Sequence, residues 1–241
     1  MMKIRSMLKF DSPSEMSVAV LGSFVSYLLG VLAVKPTATV AISGGSSPLG
    51  FYTLLAKPGS EELLPWHKIH LFWVDERFVG LDSPDSNFGT AQEAFLQDLH
   101  IPPENLHPIS TAFATPEEAA AAYREKLRQF FGGGIPVFDL MLLGMGLDGH
   151  TASLFPQTAS LTENALPAIA VAPPEMVEPK VPRITMTFPV INRAGKVMMI
   201  TSGEEKQNII RDVATAAENA PAKYPVQLID NENLIWFVSL I

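Results

Sequence analysis

Short apolar runs recur along the chain, each closed by a glycine-rich or polar turn and then by a stretch with helical spacing. Ala38–Ile42, His70–Val74, Phe138–Leu143, Val197–Thr201 and Leu234–Val238 read as buried strands. Pro48–Ala56 and Phe88–Leu99 read as the helices after the first two. Two helix starts carry capping signals. Thr115-Pro116-Glu117-Glu118 offers an N-cap, a first-turn proline and a capping-box Glu, and Tyr123, Leu127 and Phe131 then share a face up to the stop at Gly132-Gly133-Gly134. Ser202-Gly203-Glu204-Glu205 repeats the box before Ile209, Ile210 and Val213. Strand alternating with helix predicts an α/β fold: a three-layer α/β/α arrangement around a mostly parallel, Rossmann-like sheet. No repeat or low-complexity linker interrupts it, so residues 1–241 read as one domain.

The uncharged segment Met16–Val34 approaches the ~20 residues of a membrane helix. Asp11 and Glu15 stand where a signal peptide needs positive charge, and Ser23, Ser26 and Gly30 form a small-residue face opposite Leu21, Val25, Leu28 and Leu32. The expectation is a helix packed on the sheet, no membrane partner and a cytoplasmic location. The net charge of −8, without any Lys/Arg run, argues against a nucleic-acid partner. The chain has no cysteine, which excludes disulfides, thiolate metal sites and Cys nucleophiles. Its five histidines are scattered without paired ligand spacing, so no metal is expected.

In sheets of this kind, ligands bind beyond the carboxyl ends of the strands. Ser43-Gly44-Gly45-Ser46-Ser47-Pro48 joins a strand to a helix, with Ser47 as candidate N-cap and Pro48 as first helical residue. Such a turn is either a capped bend or a site where free N–H groups meet an anion; without a P-loop lysine it does not suit ATP or GTP. Asp75-Glu76-Arg77 sets three charges at a strand end, where Arg77 can bind phosphate or carboxylate or make a surface ion pair.

Gly144-Met145-Gly146-Leu147-Asp148-Gly149-His150 satisfies G-x-G-x-x-G. It is not in the first strand–helix unit, Pro156 cuts short any long helix, and no acid follows to hold a ribose, so NAD is rejected and no cofactor is expected. Asp148 and His150 are the informative residues, since an imidazole of ordinary pKa ~6.5 is largely free base at neutral pH. Arg183 and Lys206 complete the candidates; a lysine in a first helical turn opposes the helix dipole unless an anion binds nearby.

Together these blocks resemble the 6-phosphogluconolactonase family, within the wider glucosamine-6-phosphate deaminase-like group. The similarity covers Ala41–Pro48, Trp73–Val79 with Asp85-Ser86-Asn87, Gly144–Pro156, Arg183-Ile184-Thr185 and Lys206, in the expected order over most of the chain. Ser47 departs from the family's usual Thr but keeps the hydroxyl. The resemblance implies the sugar-phosphate isomerase/deaminase fold and hydrolysis of 6-phospho-D-glucono-1,5-lactone in the oxidative pentose phosphate pathway. It implies His150 as general base, a sugar-phosphate pocket including Ser43 to Ser47, and positive charge from Arg77, Arg183 and Lys206. Either Asp148 or Asp75 orients the imidazole; Arg77, Arg183 or the glycine-turn amides meet the oxyanion. A deaminase/isomerase fits less well, because Ser153-Leu154-Phe155-Pro156 lacks the acid those enzymes carry after the His turn. A non-catalytic sugar-phosphate sensor is the other alternative. The partner is a small-molecule sugar phosphate, and a monomer or weak dimer is expected.

Overall fold

A computed structural model describes residues 6–217 and 221–240. In chain order the elements are β1 (Met7–Phe10), α1 (Pro13–Leu32), β2 (Ala38–Ile42), α2 (Leu49–Leu55), β3 (Ile69–Trp73), β4 (Asp75–Arg77), α3 (Asn87–Ala94), β5 (Leu106–His107), α4 (Pro116–Phe131), β6 (Leu140–Leu143), β7 (Ala168–Val171), β8 (Arg183–Met186), α5 (Phe188–Arg193), β9 (Lys196–Ser202), α6 (Gln207–Thr215) and β10 (Leu234–Ser239). Seven strands form a parallel sheet in the order β1-β10-β9-β6-β2-β3-β5, flanked by helices in the three-layer α/β/α arrangement. β4, β8 and β7 make a separate antiparallel sheet.

The central strands are apolar because both their faces are covered. Every residue of β2 and β6 is buried. The order of the large sheet fixes where a ligand can sit. From β2 the chain winds outward through β3 to β5, then returns to lay β6 on the other side of β2. The loops leaving β2 and β6 therefore part company and open a crevice at their carboxyl ends.

Local chemistry sets the boundaries. Thr115 caps α4 by accepting from Glu118 N at 3.2 Å, and Gly132 ends it at φ 75°. Two expected caps fail. At Ser202 the chain is still in β9, and the following turn starts from Gly203 without a side-chain cap. Ser47 does not cap α2, whose N-cap position is Pro48; its hydroxyl is engaged elsewhere. Asp75-Glu76-Arg77 is a strand and not a turn, because β8 supplies its backbone partners.

α1 has the length and apolar composition of a membrane span, with a mean hydropathy of 1.7. Its Met16, Val20, Phe24 and Leu28 are buried in the main core, where Phe24 meets Phe51 of α2 edge-on at 5.1 Å. The buried stripe lies beside the expected Leu21, Val25, Leu28 and Leu32, of which only Leu28 is fully buried. An aromatic knob from α2 decides the helix rotation, and aliphatic periodicity alone does not report it.

Candidate active site

A cavity of about 570 Å³ opens at the crevice between β2 and β6. Ser43, Gly44, Gly45, Ser46, Ser47, Asp75, Arg77, Asp148, His150, Arg183 and Lys206 all line it. These residues come from separate stretches of sequence, and the sheet topology brings all of them together. Their individual tasks differ.

The turn after β6 carries the imidazole. His150 Nδ1 lies 2.5 Å from Asp148 Oδ1, and the same oxygen accepts from the His150 backbone N–H at 3.1 Å. With Nδ1–H given to the carboxylate, Nε2 carries the lone pair. Asp148 is half-buried; burial pushes its pKa up, but the hydrogen bonds from His150 outweigh this and hold it below the usual value. The loop closes on itself through Gly146 N to His150 O (2.9 Å) and Gly149 N to Gly146 O (3.1 Å). Gly146 has to be glycine for the ring to lie where it does: a Cβ there would stand 2.1 Å from His150 Cε1. The imidazole also packs on Phe155, ring centroids 4.7 Å apart.

Asp75 makes no hydrogen bond to that imidazole. It is buried, and its Oδ2 accepts from Ser153 Oγ at 2.7 Å. Of the two candidate orienting carboxylates, only Asp148 touches the ring. Its neighbour Glu76 points to the opposite face of β4 and is wholly buried. The Glu76 carboxylate accepts from Arg77 N, Asn87 N and Phe88 N at 2.7, 2.7 and 2.8 Å, and from Ser86 Oγ at 3.0 Å. Burial raises its pKa although these four bonds oppose the rise. Glu76 thus anchors the start of α3 and sets Asn87 beside the cavity.

Arg77 and Arg183 face each other across the β4–β8 pair. Arg77 donates to the Asp85 carbonyl at 2.8 Å, and Arg183 to those of Glu178 and Pro179 at 3.2 and 3.4 Å. Neither forms an ion pair with a carboxylate among the described residues, so the surface salt bridge considered for Arg77 is absent there. Arg183 is 3% exposed, and burial pulls its pKa down. Two like charges on neighbouring strands, neither ion-paired although Asp75, Asp148 and Asp85 act on Arg183 from a distance, make a place for an anion. Its guanidinium carbon also sits 5.3 Å from the centroid of Phe155, the ring that packs on His150.

Lys206 is similarly buried, and its Nζ reaches Ser47 Oγ at 3.3 Å. Burial lowers its pKa, with Glu205 partly opposing. Ser47 Oγ also accepts from Ser202 N at 3.2 Å, which is why it is not free to cap α2. Ser43 serves the framework: its hydroxyl donates to Leu142 O at 2.9 Å and its carbonyl accepts from Tyr52 OH at 2.6 Å. Gly44 leaves room for Asn87, whose Oδ1 would be 1.9 Å from any Cβ there. Asn87 lines the cavity with its Nδ2 on the Asp75 carbonyl; the sequence marks it only as part of Asp85-Ser86-Asn87. Among the described residues, no group of three or more His, Cys, Asp and Glu side chains is arranged to hold a metal.

The geometry defines a doubly wound α/β protein whose switch-point cavity sets one carboxylate-tethered imidazole among three cations, of which Arg183 and Lys206 are buried. The sequence family described as glucosamine-6-phosphate isomerases/6-phosphogluconolactonase matches residues 11–236. A 6-phosphogluconolactonase of Synechocystis sp. is 43% identical over 211 residues, covering 86% of this chain and 84% of that protein. The crystal structure of 6-phosphogluconolactonase from Thermotoga maritima superposes with a TM-score of 0.83 at 29% identity, over 97% of this chain and 99% of that one. A monomeric glucosamine-6-phosphate deaminase shares the fold (TM-score 0.81, 19% identity, 97% of each chain). The chain belongs to the glucosamine-6-phosphate isomerase/6-phosphogluconolactonase family, on its 6-phosphogluconolactonase side.

Proposed function

We propose that the cavity hydrolyses 6-phospho-D-glucono-1,5-lactone to 6-phosphogluconate, with His150 activating the attacking water. The observation that carries this reading is the His150–Asp148 pair in one cavity with Arg77, Arg183 and Lys206, cations that form no ion pair with a carboxylate among the described residues. Arg77, Lys206, Ser47 and the amides of the Gly44-Gly45-Ser46 turn hold the phosphate, and this remote grip lays the lactone carbonyl against the imidazole. His150 Nε2 takes a proton from water as the oxygen adds to the carbonyl carbon. Arg183 counters the oxyanion, a role assigned because it and His150 pack on the same Phe155 ring. Collapse breaks the bond to the ring oxygen, which receives the proton back from the imidazolium. The new carboxylic acid then ionises and releases one proton to solution.

On the same reading residues 1–241 work as one domain of a soluble, cytoplasmic enzyme of the pentose phosphate pathway, acting without cofactor or metal on a small-molecule substrate. Proton release in weak buffer, after adding freshly made lactone, tests it against the spontaneous rate. His150→Ala should lower turnover by roughly 10²–10⁴-fold while 6-phosphogluconate still binds. Unchanged turnover in a folded variant, or ammonia release from glucosamine-6-phosphate in place of lactone hydrolysis, would overturn it.

A further inference from the structure

Gly149, next to His150, has φ 79°, a conformation that glycine holds easily but does not hold by itself. What fixes it comes from far along the chain. The side chain of Tyr224 lies so close that a Cβ on Gly149 would be 2.7 Å from Tyr224 Cβ and 2.8 Å from its Cδ1. Beside that contact, Val226 N–H donates to Gly149 O at 3.0 Å. Tyr224 is itself immobilised from two sides. Its backbone N–H donates to the buried Gln227 Oε1 at 2.9 Å and its carbonyl accepts from Gln227 N at 3.0 Å. Its hydroxyl donates at 2.9 Å to Asp212 of α6, the helix entered just after Lys206. Lys223 pairs with the same Asp212 oxygen at 2.6 Å.

We infer that Tyr224 is a positioning residue for the reaction: its ring blocks the outer side of the His150 turn and keeps Nε2 aimed into the cavity. The inference rests on His150 as the base. The inner side of the turn is set by the Gly146–His150 contact, by Asp148 and by the Gly149 N–H on the Gly146 carbonyl; the outer side of Gly149 is held by Tyr224 and by Val226 N–H. Tyr224 does not line the cavity, so it acts only through the turn. Of the residues proposed to grip the phosphate, Arg77 and Ser47 stand on other elements; Lys206 opens α6, which Tyr224 reaches only through Asp212, a carboxylate Lys223 also holds. The expected signature is a fall in kcat with KM preserved.

Tyr224→Ala and Tyr224→Phe are compared with the parent enzyme in the proton-release assay, well below their melting temperatures. Tyr224→Ala should lose roughly tenfold in kcat, an effect sized from a sub-ångström drift of a base, with KM within about twofold. Tyr224→Phe keeps the ring and should retain at least half of kcat, losing only a half-exposed hydrogen bond. The downfield proton resonance of His150 Nδ1–H should broaden in Tyr224→Ala and persist in Tyr224→Phe. Parental kcat in folded Tyr224→Ala overturns the inference, as does loss confined to KM, or failure of the ring-bearing variant to rescue. If His150→Ala is itself fully active, the functional reading falls; if it is dead while Tyr224→Ala is parental, only this inference falls.

Discussion

Gly146→Ala isolates the seat of the imidazole from everything else in the cavity. The backbone at Gly146 is not in the positive-φ region, unlike Gly149, so alanine is conformationally acceptable there. The side chain is not. The new methyl would meet His150 Cε1 at 2.1 Å, Nδ1 at 2.2 Å and Nε2 at 2.8 Å. Carbon atoms pack at ~3.5–4.0 Å, so the ring must retreat by roughly 1.4 Å or more. A retreat of that size breaks the 2.5 Å bond from Nδ1 to Asp148 and takes Nε2 off its line. Misplacement by ~1 Å costs about 10²-fold in rate, or ~2.7 kcal/mol in the barrier. Stability should barely move. Replacing glycine stabilises by ~0.4–1 kcal/mol through the unfolded chain, and losing one partly exposed hydrogen bond offsets that by a similar amount. The expected result is a kcat about a hundredfold down, KM within ~3-fold because the cations sit on other elements, and a Tm within a few degrees of the parent. Stopped-flow proton release and a thermal melt measure these. A folded Gly146→Ala enzyme with parental kcat would show that catalysis does not depend on this placement of His150, and the assignment of the base would go with it.

Two further outcomes follow from the charges. Burial depresses the pKa of Lys206, so its ammonium is held in the free protein at a cost that a bound phosphate relieves. Lys206→Met should therefore raise Tm, by about 2–4 °C for each kcal/mol recovered, while KM for the phosphorylated lactone rises at least tenfold; a lower Tm, or an unchanged KM, contradicts the argument. Away from the site, His70 and His107 share a 3.1 Å contact among Phe72 and Phe130, and burial, with the charges of His70 and Lys126, pulls His107 down to about 4. Between its ordinary 6.5 and about 4 the unfolded chain binds more protons than the native state, so stability must fall as pH drops through that window. His107→Phe keeps the stack on Phe72 and should shrink that fall by about 1 kcal/mol, allowing for solvent screening of a half-exposed ring. Urea unfolding at pH 6.5 and 4.5 reads it, and equal losses in both proteins would clear the imidazole of the effect.

The interior of the large sheet was legible because β2, β6 and the middle of β9 are apolar on both faces, a pattern no exposed segment keeps. Its edges were not: β1 has two exposed residues of four, and β5 is two residues long. The antiparallel sheet was hidden for a different reason. A charged triplet reads as a turn; Asp75-Glu76-Arg77 is tolerable as a strand because β8 supplies its backbone partners and the start of α3 satisfies the Glu76 carboxylate. The site residues were readable as strand-end turns, since glycine, histidine and arginine there add nothing to the apolar core. Their division of labour was not readable. That Asp148 and not Asp75 meets the imidazole, that Ser43 is tied to Leu142, and that Asn87 and Tyr224 buttress the loops all depend on contacts between distant segments, which leave no local pattern.

The segment after His150 bears on which of the family's two chemistries the cavity suits, although Asp75 also lines it. Ring opening and deamination of an amino sugar ask for a second acid/base group near the imidazole, whereas lactone hydrolysis asks for one base and a held carbonyl. Directly after His150 and Thr151 the chain spends its side chains on structure. Ser153 donates to Asp75, Leu154 and Phe155 are fully buried, and the Phe155 ring fills the space between His150 and Arg183. An aromatic wall in that position supplies no proton; on the proposed reading it would lower the dielectric around the guanidinium and strengthen its pull on a developing oxyanion. Such a cavity suits the proposed route, in which one proton would leave water, rest on Nε2 and return to the ring oxygen.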